Sequence, residues 1–282
     1  MTKVRMHRLM GEDGRCLNVA VDHGFFNEPS FLTGIENMAT TIERLVEAGP
    51  DAIQLSPGQA PLLQQRPGKL KPSLVLRTDI ANVYGSPLPA QLFSELVEGV
   101  VERALRLDAA AVVVNLLELP DQPDLYRQTL SNISRLASSC EQYAMPLIVE
   151  PLVMKMGAGE RYAVDGDVTK IVALVRQARE LGADVIKADP TDPPEEYWRV
   201  VEAAGECPVL PRGGGKVPPA EVFRRTHVLL EQGARGIVYG RNIVQAPDPR
   251  AMTQALMALV HHGVTPEQAM AVFEDPGNRR VQ

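Results

Sequence analysis

Short apolar runs alternate with longer amphipathic stretches eight times along this chain, and few folds accept that pattern. The runs fall at residues 17–22, 52–55, 74–78, 111–116, 147–150, 185–187, 209–211 and 236–239. Helix-type spacing fills 35–48, 90–106, 125–143, 168–181, 195–203, 219–232 and 249–261. Several helical stretches end in Gly just before the next run, as at Ala48-Gly49, Leu181-Gly182 and Gln232-Gly233. Gly there suits a left-handed helix end that feeds a short connection into a parallel strand. Runs that are apolar throughout belong to strands buried on both faces. Together these features predict a single (β/α)8 barrel domain over residues 1–282. A doubly wound sheet is the alternative, but eight strands are more than it commonly carries. Thr265-Pro266-Glu267 opens an extra C-terminal helix reaching Val272, and 276–282 reads as a frayed end.

With 45% hydrophobic residues in 282, the chain has ample apolar material for such a core. Its net charge of −6, dispersed basic residues and few aromatics argue against a nucleic-acid partner. Nowhere do enough apolar residues run together to span a membrane, and the first ten lack a signal-peptide core. The widely spaced Cys16, Cys140 and Cys207 suit reduced packing residues in a cytoplasmic protein.

A barrel builds its site where strands end and helices begin. Those ends carry Asp22 and His23, Gln54, Arg77 and Asp79, Asn115, Glu150, Lys187, Arg212 with Gly213, Gly214 and Gly215, and Gly240 with Arg241. Lys187 closes the run Val185-Ile186-Lys187 before Pro190, which points its amine into a pocket. Burial disfavours the ammonium, and a neutral amine can attack a carbonyl to form a Schiff base; the plainer reading pairs Lys187 with Asp184 or Asp189. Asp22 either caps a local turn or handles a proton, and Glu150 either pairs Lys187 or shuttles a proton. Lys155, in the following loop, is a weaker candidate. The two glycine-bearing turns, 213–215 and 240–241, suit a phosphate held by backbone N–H groups and Arg241. A Walker loop does not fit, because Val217 follows Gly215-Lys216. A zinc-dependent site does not fit either, because His7, His23, His227, His261 and His262 do not fall at three strand ends.

Val-Asp-His-Gly at 21–24, Val-Ile-Lys at 185–187, the turn at 213–215 and Gly-Arg-Asn-Ile at 240–243 resemble the class I aldolases of the archaeal fructose-bisphosphate type. That group sits in a wider set with deoxyribose-phosphate and tagatose-bisphosphate aldolases and a thiolase of phosphorylated autoinducer-2. The resemblance spans about residues 15–262. It implies a (β/α)8 barrel and metal-independent cleavage of a phosphorylated ketose through a Schiff base on Lys187, with no cofactor. It further implies Asp22 beside the reacting carbons, phosphate on Gly214, Gly215, Gly240 and Arg241, and a ring-shaped homo-oligomer of five or ten subunits. His23, Arg77, Arg212 and Gly213 complete the expected binding set. One departure concerns strand five. The fructose-bisphosphate enzymes carry a proton-moving tyrosine there, whereas Val149-Glu150-Pro151-Leu152-Val153-Met154 places Leu152 at its position. Glu150 resembles instead the strand-five glutamate of tagatose-bisphosphate aldolase. A lyase, synthase or thiolase acting on another phosphorylated sugar, or a barrel that binds one without turnover, are the alternative expectations.

Overall fold

The structure is a computed structural model that describes residues 3–68, 70–159 and 161–274. Residues 276–282, expected to fray, lie outside the described residues. Among these residues, eight parallel strands form the barrel: β1 (Cys16–Ala20), β2 (Ala52–Leu55), β3 (Ser73–Arg77), β4 (Ala111–Glu118), β5 (Leu147–Met156), β6 (Val185–Ala188), β7 (Val209–Pro211) and β8 (Gly236–Tyr239). They neighbour one another in chain order, and β1 pairs β8. Closure between β7 and β8 runs through Arg235 N–H to Val209 O at 2.9 Å and Gly213 N–H to Val238 O at 3.2 Å. The helices are α1 (Met38–Ala48), α2 (Ala60–Gln64), α3 (Val100–Arg106), α4 (Pro123–Gln142), α5 (Val168–Glu180), α6 (Trp198–Ala204), α7 (Pro219–Glu231) and α8 (Pro249–His262), with α9 (Pro266–Glu274) after them. The architecture is the expected (β/α)8 barrel with an extra C-terminal helix.

Two segments differ from expectation. The stretch 90–106 is helical only in α3; its first half enters the short strand Ser94–Leu96, which pairs antiparallel with Asp79–Ala81. Pro87 and Pro89 remove amide donors on its approach, and Gly99, at φ 58°, delays helix entry until Val100. Strand β5 runs six residues past Glu150 and pairs with Tyr162–Val164. Lys155 therefore sits on a strand end, 3.6 Å from Asp165 and away from the candidate site.

Strand alternation separates two cores. Leu17, Val19, Ile53, Leu55, Leu74 and Leu76 face outward and pack with the helices. Cys16, Ala52, Val75, Ala111, Val113, Ile148, Val185, Leu210 and Val238 fill the barrel interior, joined from below by Met6 and Leu9 of a one-turn N-terminal helix. All three cysteines are buried and unpaired.

Candidate active site

Two residues beyond each apolar inward position, the same strand faces turn polar: Gln54 on β2, Arg77 on β3, Asn115 on β4, Glu150 on β5 and Lys187 on β6. Arg212 follows β7 in the same way. This layer caps the interior core because side chains two apart share a face. The register places Asn115 opposite Glu150 and Lys187 opposite Leu210.

Arg77 is the hub. Only 1% exposed, it donates from Nε to Asp22 Oδ2 at 2.6 Å, from Nη1 to Asp79 Oδ1 and Asn115 Oδ1 at 3.2 Å each, and from Nη2 to Glu150 Oε2 at 2.5 Å. Its guanidinium is thus engaged by the protein on all three nitrogens, and Arg77, expected among the substrate- or phosphate-binding residues, lines the pocket while framing the site. Gln54 Nε2 donates to the same Asp22 oxygen at 2.8 Å.

Lys187 Nζ lies 2.9 Å from Glu150 Oε1, which answers the choice of partner: Glu150, not Asp184 or Asp189. Asp184 is engaged by Lys3 and by the Leu147 amide at the other end of its strand connection. Burial lowers the pKa of Lys187, and Arg77 adds to that, against the opposing pull of Glu150 and Asp22. Burial alone would raise Glu150, but Lys187, Arg77 and Arg212 together hold it well below the usual carboxylate range. Asp22 is likewise lowered: burial works the other way but is outweighed by Arg77 and Lys187. Arg212 lies 3.5 Å from Glu150 and, through Nε, 2.6 Å from Asp189 Oδ1. That Asp189 contact is off the line a hydrogen bond needs, so both its buried oxygens lack an aligned donor. Burial pushes Asp189 up to about 6 despite Arg212. Burial also brings His23 down to about 4, so its imidazole is neutral near pH 7.

The pocket above this layer is lined by Asp22, His23, Arg77, Glu150, Lys187, Arg212, Gly213, Gly214, Gly240 and Arg241, so these predicted residues converge. Gly215 stands next to it and is exposed. The 213–215 turn is pinned from behind: Asn242 Nδ2 donates to Gly213 O and Gly215 O, and Asn242 Oδ1 accepts from Val217 N–H. A Cβ on Gly240 would come within 2.6 Å of Ala20 O and 2.7 Å of His23 Cε1, so only glycine lets β8 end this close to β1. Arg241 Nη2 donates to Gly214 O at 2.9 Å, and its guanidinium sits 4.3 Å over the Phe31 ring. Among the described residues no carboxylate lies within ion-pair distance of it, unlike Arg77, Lys187 and Arg212. The arrangement can hold an anion at Arg241 and the turns while presenting an amine from below.

Three pocket residues escaped the sequence reading: Phe26, Phe31 and Tyr84. They come from the loops after β1 and β3, where no strand end marks them. The signal available was Tyr84 directly ahead of Gly85, an aromatic beside a turn in a βα loop.

An uncharacterized aldolase of Saccharolobus solfataricus is 32% identical, over 97% of this chain and 99% of its own length. A 3-hydroxy-5-phosphonooxypentane-2,4-dione thiolase of Klebsiella pneumoniae is 29% identical, over 93% of this chain and 81% of that enzyme. A solved Schiff-base-forming fructose-1,6-bisphosphate aldolase superposes with a TM-score of 0.78 at 23% identity, covering 93% of this chain and 100% of the other, which shows the shared barrel. Residues 16–246, most of the chain, match the DeoC/LacD family of aldolases, and the chain belongs to that family.

Proposed function

We propose that the protein is a class I, metal-independent aldolase that reversibly cleaves a phosphorylated ketose, such as fructose 1,6-bisphosphate, to dihydroxyacetone phosphate and an aldehyde. The observation that carries this reading is Lys187: a buried amine beneath a pocket whose opposite wall offers Gly214, Gly240 and Arg241 to an anion. Neutral Lys187 attacks the C2 ketone, water leaves, and the iminium becomes the sink for the electron pair of the breaking C3–C4 bond. Glu150, at 2.9 Å, faces the nitrogen that carries this positive charge. Held so far down by three cations, Glu150 is a weak base, and its part is electrostatic. Asp22 is restrained in the same way by Arg77 and orients substrate hydroxyls. The phosphate on Arg241 fixes which carbon reaches the amine.

The test is mass spectrometry of the intact protein after borohydride treatment with dihydroxyacetone phosphate, followed by peptide mapping. A single reduced adduct on Lys187 is expected, with Lys187→Met losing both adduct and turnover. An unmodified Lys187 in protein that demonstrably binds the ligand would make the lysine a structural ion-pair residue. A thiolase is the second reading, favoured by the Klebsiella relative and by buried, apolar Leu152 where fructose-bisphosphate enzymes carry tyrosine. Product analysis across a panel of ketose phosphates separates the two.

A further inference from the structure

The Schiff-base reading leaves the reaction without a proton carrier. A retro-aldol cleavage must move a proton from the C4 hydroxyl and return one to C3, yet Glu150 and Asp22 are pinned in ionised form by Arg77, Lys187 and Arg212. Leu152 cannot exchange protons. Two uncharged polar groups are left in the pocket wall, His23 and Tyr84; His23, brought down to about 4 by burial, is a poor proton acceptor, which leaves Tyr84.

The Asn27 carboxamide grips the Tyr84 backbone from both sides, donating to Tyr84 O and accepting from Tyr84 N–H at 3.0 Å. Its ring packs edge-on against Phe26 at 5.4 Å and Phe31 at 5.1 Å between centroids. Gly85, at φ 93°, approaches Asn27 so closely that a Cβ would stand 2.9 Å from Asn27 O. The phenol reaches inward to Arg212, with Glu150, Asp189 and Arg241 as its other charged surroundings. A guanidinium has donors only, so in that contact the phenol oxygen accepts. The O–H proton is therefore left for whatever occupies the pocket.

We propose that Tyr84, delivered from the loop after β3, is the proton carrier of the reaction at Lys187, a role that rests on the Schiff-base reading. The phenol gives its proton to the carbinolamine hydroxyl, which leaves as water and yields the iminium and a tyrosinate beside Arg212. As the C3–C4 bond breaks, its electron pair passes through C2 to the iminium nitrogen and forms the enamine. The tyrosinate takes the C4 hydroxyl proton as that oxygen becomes the carbonyl of the departing aldehyde. The phenol then protonates C3 and restores the iminium. Water adds at C2, its proton returns to the tyrosinate, and the amine leaves. Positive iminium and negative tyrosinate appear and vanish together, so the charge of the site is constant through the cycle. Burial keeps the phenol protonated at rest, while Arg212 steadies the anion.

The experiment compares wild type and Tyr84→Phe in two measurements: borohydride trapping of dihydroxyacetone phosphate on Lys187, and exchange of a C3 hydrogen of that ligand in deuterium oxide by NMR. Expected in Tyr84→Phe is an adduct that still forms on Lys187 but accumulates more slowly than in wild type, with exchange slowed roughly a hundredfold to ten-thousandfold. Exchange at the wild-type rate overturns the role of Tyr84 and leaves the Schiff base standing. Absence of the adduct from wild type overturns the Schiff-base reading and the carrier with it. Should Tyr84→Phe be unstable, 3-fluorotyrosine at position 84 keeps the ring and its packing and makes the phenol more acidic. A shift of the exchange profile to lower pH supports the role, and an unmoved profile overturns it.

Discussion

Burial moves the pKa values of His23 and Asp189 in opposite directions. Burial lowers His23 from 6.5 to about 4, so between those values the unfolded chain takes up a proton that the native state refuses, and stability rises with pH. Burial raises Asp189 from 3.8 to about 6, so there the native state holds the extra proton, and stability falls as pH rises. Across pH 4 to 6 the two slopes oppose each other. Compared with wild type, His23→Asn should lose stability more steeply as pH climbs from 4 to 6, whereas Asp189→Asn should gain it from 4 to 6.5. Denaturant midpoints taken across that range measure both, and parallel profiles for all three proteins would refute the assignment. Residue identity at strand ends was legible: Lys187, Glu150, Asp22 and Arg212 were recognisable as a set and do meet. The pairing of Glu150 with Lys187 was among the readings offered, but the partners of Arg77 were not. Arg77 becomes a hub only because β1, β3, β4 and β5 close around it, and no spacing along the chain encodes that adjacency. Tyr84 was hidden for the same reason, since a loop side chain carries no periodicity.

At the level of elements, the end of β8 tolerates no side chain. Gly240→Ala would drive a Cβ into the Ala20 carbonyl at 2.6 Å, and a backbone atom cannot step aside as a flexible side chain would. A cost of about 1–3 kcal/mol is expected, together with weaker phosphate binding because Arg241 is the next residue. Thermal melts read the first effect and calorimetric titration with inorganic phosphate the second. Gly24→Ala, whose added atom meets nothing within 4 Å, is the control and should change little. Most elements were visible beforehand because their periodicity is local, as in α5 and α7. The failure at 90–106 is instructive. Helical spacing there was overridden by prolines upstream and by pairing of Ser94–Leu96 with Asp79–Ala81, a contact between segments that a periodicity window cannot join.

For the molecule as a whole, the two cores divide the labour. The outer one fastens helices to strands, and the inner one supports the polar layer from beneath. Leu9 is fully buried at the bottom of that inner core, contributed by a helix outside the βα units. Leu9→Ala should destabilise by about 2–5 kcal/mol, read as a lower denaturant midpoint, and near-neutral behaviour would mean that the N-terminal helix is peripheral. Lys3 and Arg8, which bind Asp184 and Asp108, hold that helix across the base. Among the described residues, Met6 and Leu9 plug the barrel interior below the layer that carries Lys187. On the Schiff-base proposal, whatever reaches Lys187 enters and departs through the pocket, so the fragment bonded at depth leaves after the fragment above it. Order of release is then a matter of architecture before it is one of affinity.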